Sequence, residues 1–244
     1  MKIRLDRLLA EKGLATSRQQ AQALIATGLV RVDGHPAAKT AAMVDSAADI
    51  AIVGKACPYV SRGGLKLAAA LEHFQIRPAG LICADIGAST GGFTDCLLQN
   101  GAARVYAIDV GYGQLAWKLR QDERVTVFER CNARHLQLTD LPSPVDLAVT
   151  DASFISLRLL LPAMPGLFGG PIAIVALIKP QFEVGREAVG KGGVVRDEGL
   201  HKKVIDELAV FAGTLGLATV GVTPSPLLGP KGNREFLWYL RGEK

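Results

Sequence analysis

Two charged residues follow predicted buried strands at positions where they could do chemistry. Asp151 comes after the apolar run 145–149, and Lys179 comes directly after the apolar run 172–178. Ligands of open parallel sheets bind outside the carboxyl ends of the strands, so both side chains are expected to face one crevice. A lysine is costly to bury after a strand without polar side chains. We therefore predict that Lys179 and Asp151 are functional residues.

A glycine-rich turn follows the predicted strand 81–84 and precedes a helix, where backbone N–H groups commonly meet a ligand. It reads Asp85-Ile-Gly-Ala-Ser-Thr-Gly-Gly-Phe-Thr-Asp95. A dinucleotide fingerprint needs glycine where the chain has Ser89, and a P-loop needs lysine where it has Phe93. An acidic residue before small residues suits S-adenosyl-L-methionine instead, because Asp85 could hold the charged methionine end. The predicted loop contacts are Gly87, Ala88, Ser89, Thr90, Gly91, Gly92 and Phe93.

Asp109 ends the next predicted strand and is placed to accept hydrogen bonds from both hydroxyls of a ribose. Dinucleotide enzymes use an acidic residue in the same way, so Asp109 indicates a nucleoside-containing cofactor without distinguishing among such cofactors. Tight turns without any ligand are the alternative explanation of the glycines. Three glycines, Ser89 and Thr90 at one strand end favour a ligand site.

The elements that must hold these residues alternate between strands and helices. Their apolar runs are nearly continuous, as expected of parallel strands covered on both faces, and helical patterns lie between them. The predicted fold is therefore α/β, with a Rossmann-like, doubly wound and mostly parallel sheet. Its strands are predicted at residues 81–84, 105–110, 145–149 and 172–178.

A smaller basic domain is predicted ahead of the α/β domain. Residues 1–55 show two short amphipathic helical patterns followed by short strands at 30–32 and 48–53, which favours a small α+β domain. Residues 1–60 hold eight Lys or Arg against five acids, so most of the net charge of +5 lies there. Pro58 interrupts both periodicities. We place a linker at residues 56–60 and the second domain at residues 61–244.

The basic domain carries a recognisable motif and several arginines. Residues 4–9, 16–25 and 28–34 resemble the RNA-binding domain shared by a ribosomal small-subunit protein, several pseudouridine synthases and some RNA methyltransferases. The resemblance implies a structured RNA partner but not the chemistry done on it. If the two helices pack as a hairpin, phosphate contacts would come from a cluster of Arg4, Arg7, Arg18 and Arg31. For any one of them, a solvated helix face is the alternative.

The composition excludes several classes of protein. Hydrophobic residues make up 49% and charged residues 21% of the 244, as in globular chains. Prolines and glycines break the apolar run 162–178, so no membrane span is expected. The first residues lack a secretory pattern, and a cytoplasmic location is expected. The four cysteines are far apart without a C-x-x-C pair, so we expect reduced thiols and no metal site.

Two further charged residues complete a set. Lys66 lies near the start of a helical pattern and Glu235 opens the last predicted strand, and each alone would be an ordinary residue. With Asp151 and Lys179, in this order and in these contexts, they resemble the K-D-K-E tetrad of ribose 2′-O-methyltransferases related to FtsJ.

The whole chain resembles the TlyA family, whose members are often labelled hemolysins but act as ribosomal RNA cytidine-2′-O-methyltransferases. The resemblance implies a class I methyltransferase domain, S-adenosyl-L-methionine as cofactor, and ribosomal RNA in ribosomal subunits as partner. It also implies an adenine contact at Asn132 and an RNA contact at Arg62. Besides the N-terminal domain and the glycine-rich loop, it rests on residues 62–64, 150–156, 191–197 and 229–233.

The resemblance suggests a role for each member of the tetrad. Lys179 is the predicted base for the ribose hydroxyl, Lys66 supports it and anchors the hydroxyl, and the two carboxylates hold the lysines. Burial and Lys66 favour the neutral form of Lys179, whereas Asp151 and Glu235 favour its charged form. The set could therefore orient the hydroxyl only, with the proton leaving after transfer. Positioning should dominate in either case, since alignment can supply ~7–11 kcal/mol.

Two functions of other classes stay open at this point. An RNA-binding assembly factor without catalysis would share the fold and the first domain, and the intact tetrad argues against it. A membrane-active hemolysin would need a strongly amphipathic basic helix, which the sequence does not show. A pseudouridine synthase would share the first domain only and would leave the cofactor loop unexplained.

Overall fold

The computed structural model describes residues 1–15, 18–26, 28–37, 39–53 and 57–243. The chain divides into two compact units, Met1–Arg62 and Gly63–Lys244. The linker expected at 56–60 begins at a residue outside the described set, and its bounds stay a prediction. Residues 16 and 17 of the N-terminal motif also lie outside that set.

The first unit packs two helices against short strands. Antiparallel pairs join β1 to β4, and β2 to both β3 and β5. The two helices and β2 follow the sequence patterns, whereas β1 and β4 were not expected, because three residues are too few to show an alternating pattern. The elements are β1 (Lys2–Arg4), α1 (Leu5–Glu11), α2 (Arg18–Ala26), β2 (Val30–Val32), β3 (His35–Pro36), β4 (Met43–Asp45) and β5 (Ile50–Ile52).

The second unit alternates strands and helices, which confirms the predicted α/β class. Six short 3₁₀ segments connect the longer elements. The helices are α3 (Gly63–His73), α4 (Gly92–Gln99), α5 (Trp117–Arg120), α6 (Leu157–Leu160), α7 (Pro180–Glu183) and α8 (Glu198–Thr214). The strands are β6 (Ile82–Ile86), β7 (Arg104–Ile108), β8 (Val125–Phe128), β9 (Leu147–Thr150), β10 (Ile172–Ile178), β11 (Leu217–Pro224) and β12 (Phe236–Gly242).

One seven-stranded sheet organises this unit in the order β11-β12-β10-β9-β6-β7-β8. Strands β6 to β10 are parallel, and β12 runs antiparallel to both β10 and β11. Helix α3 packs against α4 and β12, while α8 packs against α6, α7 and β11. The carboxyl ends of β6, β7, β9 and β10 therefore meet at one edge of the sheet, as the sequence indicates.

The strand ends differ slightly from the sequence expectation. Strand β6 continues to Ile86, so Asp85 lies inside the strand and pairs in register with Ala107 and Val149. Its side chain is fully buried as a result. Strand β7 ends at Ile108, and Val110 is exposed instead of buried.

Apolar side chains of α6, α8 and the sheet form the main core of the second unit. Its largest members include Tyr106, Phe168 and Trp238, all of them fully buried. Across the described residues, no helix combines the length and apolar character that crossing a membrane requires. The same residues contain no group of three His, Cys, Asp or Glu side chains that could hold a metal ion.

Candidate active site

The four charged residues singled out in the sequence converge at the carboxyl edge of the parallel strands. Lys66 Nζ lies 2.6 Å from Glu235 Oε2 and 3.7 Å from Asp151 Oδ2. Lys179 Nζ lies 2.5 Å from Asp151 Oδ1. The side chain of Glu235 is fully buried, and those of Lys66 and Lys179 are 11% and 7% exposed. Asp151 therefore joins the two lysines into one chain of ion pairs.

The sheet topology explains this convergence. Strands β9 and β10 are parallel neighbours, so Asp151 and Lys179 follow them side by side. Strand β12 runs the other way and places Phe236 opposite Ile178, so Glu235 enters the strand where β10 leaves it. Helix α3 packs against β12 and brings Lys66 to Glu235. Residues from four distant parts of the chain thus reach one place.

Lys179 has three oxygen partners. Its Nζ lies within hydrogen-bond reach of Ser153 Oγ at 2.7 Å and of the Asp151 backbone carbonyl at 3.1 Å, in addition to the Asp151 carboxylate. Two of these contacts are hydrogen bonds, whereas the contact with Asp151 Oδ1 is an ion pair, and this buried carboxylate oxygen has no hydrogen-bond partner among the described residues. Ser153 was not among the residues predicted from the sequence, although it lies within the motif 150–156.

Gly229 has no side chain, and this leaves space for the side chain of Glu235. A Cβ atom placed on Gly229 would overlap Oε1 and Cδ of the Glu235 side chain. Because that side chain is buried and holds Lys66, it has little space to move aside. Gly229 therefore belongs to the part of the loop that shapes the site.

The glycine-rich loop lies against the residue that follows Asp151. Gly87 has a φ of 82° and donates its N–H to the Ile108 carbonyl at 2.8 Å. A Cβ on Gly87 would lie 3.1 Å from Ala152 Cα. Gly91 has a φ of 94°, and a Cβ there would overlap Leu119. The loop therefore packs against the backbone that directly follows Asp151.

Two carboxylates flank the loop. Asp85 Oδ2 accepts hydrogen bonds from Thr94 N at 2.9 Å and Thr94 Oγ1 at 2.7 Å, whereas its buried Oδ1 has no hydrogen-bond partner among the described residues. Asp109 accepts from Ser89 N through Oδ2 and from Gly111 N through Oδ1, both at 2.7 Å. An unpartnered buried carboxylate oxygen suits a cationic ligand group.

The remaining predicted loop residues differ in what they can offer a ligand. The side chains of Phe93 and Ala88 are buried, so these residues and the buried Gly92 can present only backbone atoms. Ser89 and Thr90 are exposed and could contact a ligand through their side chains.

The predicted adenine contact, Asn132, has partners within its own turn. It accepts hydrogen bonds from Arg134 N and Nε at 3.2 Å through Oδ1. Its neighbour Cys131 donates to the Asp109 carbonyl at 3.0 Å, which ties this segment to the end of β7.

Two of the predicted arginines of the first unit share one partner. Arg4 and Arg18 both bind the fully buried Asp6 carboxylate, at 2.9 and 3.0 Å, and Gln22 Nε2 donates to it at 2.9 Å. The Arg4 guanidinium, helped by Arg18 and Gln22, holds the pKa of Asp6 well below its usual range. Arg4 and Arg18 therefore share one carboxylate.

The other two predicted arginines of the helices and strands have separate partners. Arg7 pairs with Glu11 at 2.7 Å along α1, and Arg31 donates to the Gly34 carbonyl at 3.1 Å in the turn after β2. Arg62 is exposed at the end of the first unit.

Asp85 is expected to make the stability of the protein depend on pH. Burial raises the pKa of its carboxyl group to about 7, although two hydrogen bonds from Thr94 act in the opposite direction. The unfolded chain releases this proton near pH ~4, whereas the folded chain keeps it to about pH 7. The stabilising contribution is therefore complete below pH ~4 and is lost as the pH rises through 7.

The variant Asp85→Asn removes this titration and keeps an acceptor for Thr94. We expect the free energy of unfolding of the variant minus that of the wild type, from urea titrations, to increase between pH ~5 and 8 by up to about 3 kcal/mol. In Asp206→Asn, which alters an exposed carboxylate paired with Lys202, the same difference should stay flat. A flat difference for Asp85→Asn would contradict the buried titration.

Both units match known protein families. Residues 59–242 match the FtsJ-like methyltransferase family, and residues 3–50 match the S4 domain. The 16S/23S rRNA (cytidine-2′-O)-methyltransferase TlyA of Mycobacterium tuberculosis is 52% identical over 239 residues, which cover 98% of this chain and 89% of that protein. Hemolysin A of Brachyspira hyodysenteriae is 41% identical, with 96% of this chain and 98% of that protein covered. A solved structure of a hemolysin-named protein from Streptococcus thermophilus has a TM-score of 0.79 and 44% identity, and covers 99% of this chain and 88% of its own.

Proposed function

Because the chain belongs to the TlyA family of FtsJ-like methyltransferases, we propose that it transfers a methyl group from S-adenosyl-L-methionine to the ribose 2′-hydroxyl of a cytidine in ribosomal RNA. The observation that carries the proposal is the convergence of Lys66, Asp151, Lys179 and Glu235 beside the glycine-rich loop. The S4 domain supplies the expected RNA-binding unit. Ribosomal subunits are the proposed RNA partners.

The residues at the ends of β6 and β7 fit the cofactor. Asp85 offers a buried carboxylate oxygen without a partner among the described residues, which suits the ammonium group of the methionine end. The compact loop leads into the N-terminus of α4, where backbone N–H groups can face a ligand. Asp109 would accept from the ribose hydroxyls, and Asn132 would lie on the adenine side. When bound, the cofactor supplies a methyl group on a positively charged sulfur.

Lys179 is the proposed base for the ribose hydroxyl. Two of its three partners, the carboxylate and the carbonyl of Asp151, can only accept hydrogen bonds, whereas the Ser153 hydroxyl can also donate. The lone pair of a neutral Lys179 would therefore point toward Ser153. A ribose hydroxyl that approaches from this exposed side can pass its proton to Nζ, where an N–H bond forms as the O–H bond breaks.

The other members of the tetrad hold the lysines in place. Glu235 binds Lys66 at 2.6 Å, and Asp151 lies between the two lysines. With both lysines charged the set is neutral, and after proton transfer it returns to that neutral arrangement. Lys66 is the proposed anchor for the ribose hydroxyl. The rate of methyl transfer should depend mainly on how well the tetrad aligns the ribose hydroxyl, because a misplacement of about 1 Å can cost roughly 10²-fold in rate.

An exposed aromatic side chain beside the site suits an RNA substrate. Phe154 follows Ser153, is 90% exposed, and has a φ of 64°, which is uncommon for a bulky residue. Its ring lies 5.3 Å from that of Phe182, which follows Lys179 on α7. Unpaired RNA bases stack on exposed aromatic rings.

The variant Phe154→Ala is expected to lower kcat/KM for RNA about tenfold, within the range that loss of one stacked base gives. Its free energy of unfolding should fall by no more than about 1.5 kcal/mol, because the side chain is exposed and its ring contact is the one with Phe182. Leu159→Ala removes an exposed apolar side chain of α6 and should leave kcat/KM unchanged. Equal kcat/KM for Phe154→Ala and wild type would contradict a stacking role.

The function is tested by transfer of labelled methyl from S-adenosyl-L-methionine to small subunits, large subunits and naked ribosomal RNA. We expect label on at least one of these substrates, on the ribose 2′-oxygen of a cytidine after nuclease mapping. Calorimetry with the cofactor provides the second measurement. Cofactor binding without product on any substrate would contradict the proposal and would favour an assembly factor without catalysis.

A further inference from the structure

Glu183, a carboxylate outside the tetrad, forms hydrogen bonds with the loop 151–157, which contains Asp151. Glu183 lies at the end of α7 and accepts a hydrogen bond from Ser156 Oγ at 2.6 Å through Oε2. Its Oε1 accepts from Leu157 N at 2.8 Å. Ser156 and Leu157 are the N-cap and the first residue of α6, so Glu183 satisfies a backbone N–H at the start of that helix. The tetrad mechanism gives this carboxylate no role.

The segment 179–183 holds the loop 151–157 at three points. Lys179 binds the start of the loop through the Asp151 carboxylate, the Asp151 carbonyl and Ser153. The rings of Phe182 and Phe154 pack against each other in the middle. Glu183 binds the end of the loop. All three sets of contacts come from one short segment, so this segment contacts the start, the middle and the end of the loop.

The surroundings of Glu183 favour a structural contact over a solvated side chain. Burial raises the pKa of its carboxyl group, while the hydrogen bonds from Ser156 and Leu157 and the charge of Arg158 act in the opposite direction. Leu157 is buried, so its N–H would be left without water if the carboxylate were removed. A carboxamide could replace the carboxylate, because its oxygen can accept from Leu157 N and its N–H group can donate to the Ser156 hydroxyl.

We propose that Glu183 is a positioning residue for methyl transfer. It holds the far end of the loop 151–157, so that Asp151 and Ser153 stay in contact with Lys179. This inference rests on the proposed function. Glu183 acts only through the loop and touches none of the reacting atoms. It should therefore affect kcat and the order of the loop but not the binding of the cofactor, whose proposed contacts are Asp85, Asp109, Asn132 and the glycine-rich loop.

The variants Glu183→Ala, Glu183→Gln and Glu207→Ala test this role in the full chain. Glu207 is a matched control, because it is an exposed glutamate that pairs with Arg158 from α8 at 3.1 Å. The measurements are kcat and KM with the ribosomal substrate, cofactor affinity by calorimetry, and hydrogen exchange of the amides of residues 153–157. The exchange measurement reports the order of the loop without any need for activity.

We expect Glu183→Ala to lower kcat at least tenfold, to speed exchange at Leu157, and to keep the affinity for S-adenosyl-L-methionine within about twofold. Glu183→Gln should restore kcat to within about threefold of wild type, and Glu207→Ala should match wild type. Unchanged kcat or unchanged exchange in Glu183→Ala would overturn the inference, as would failure of Glu183→Gln to restore kcat. A wild-type protein that methylates no substrate overturns the proposed function, and that failure is recognised before any variant is compared.

Discussion

Replacing Lys179 with methionine is expected to abolish methyl transfer while cofactor binding is kept. Methionine has a similar length but offers neither a proton acceptor nor a charge, and loss of a general base typically costs about 10²–10⁴-fold. The Asp151 carboxylate would also lose its closest cation, at 2.5 Å. The rate is measured as labelled methyl transferred per minute in single-turnover reactions, and affinity for S-adenosyl-L-methionine is measured by calorimetry.

A surface lysine supplies the control for this variant. Lys202→Met removes a lysine that is 77% exposed and pairs with Asp206 on α8, so its rate should equal that of wild type. Retained methylation in Lys179→Met would refute the assignment of Lys179 as base. It would also remove the reason to expect the proton to reach Nζ during transfer.

The variant Gly229→Ala is expected to lower the rate of methyl transfer, because the added methyl group displaces the Glu235 carboxylate. The Cβ of Gly229→Ala would overlap the Glu235 carboxylate, which is fully buried and holds Lys66 at 2.6 Å. Displacing this carboxylate should misplace Lys66 and lower kcat on the order of 10²-fold. Single-turnover rates and calorimetry with S-adenosyl-L-methionine measure the effect, and cofactor affinity should stay unchanged.

Gly213→Ala is the matched control. It adds the same methyl group to α8, where no atom beyond the neighbouring residues and backbone of its own helix lies within 4 Å, and helix propensity predicts a gain in the free energy of unfolding of up to about 1 kcal/mol. Its rate should equal that of wild type. Wild-type activity in Gly229→Ala would show that the position of Glu235 does not limit the reaction.

The site residues that directly follow strands were the ones most readily predicted from the sequence. Asp151 and Lys179 stand out because each follows an apolar run, and the carboxyl ends of parallel strands share one edge. Lys66 and Glu235 carry no such signal, since their approach depends on α3 packing against β12 and on the antiparallel direction of β12. Only the resemblance to a known tetrad indicated them.

The roles of other residues could not be predicted from the sequence, because these roles depend on tertiary contacts between distant segments. Ser153 lies in an irregular segment and Glu183 ends a helix of four residues, both too short to show a period, so their roles follow only from the groups they contact. The contacts of the arginines in the first unit could not be predicted either. Arg4 and Arg18 share the Asp6 carboxylate, whereas Arg7 and Arg31 have partners of their own, and contact of these arginines with RNA stays a prediction.

The reversed direction of β12 has a consequence for shortened chains. A premature stop before Glu235 would remove the partner of Lys66 and, with it, the strand that lies between β10 and β11. The edge of β10 would then present unpaired backbone groups, which invite aggregation. A nonsense mutation late in the gene would therefore yield an insoluble product instead of a folded but inactive protein that could still occupy ribosomes.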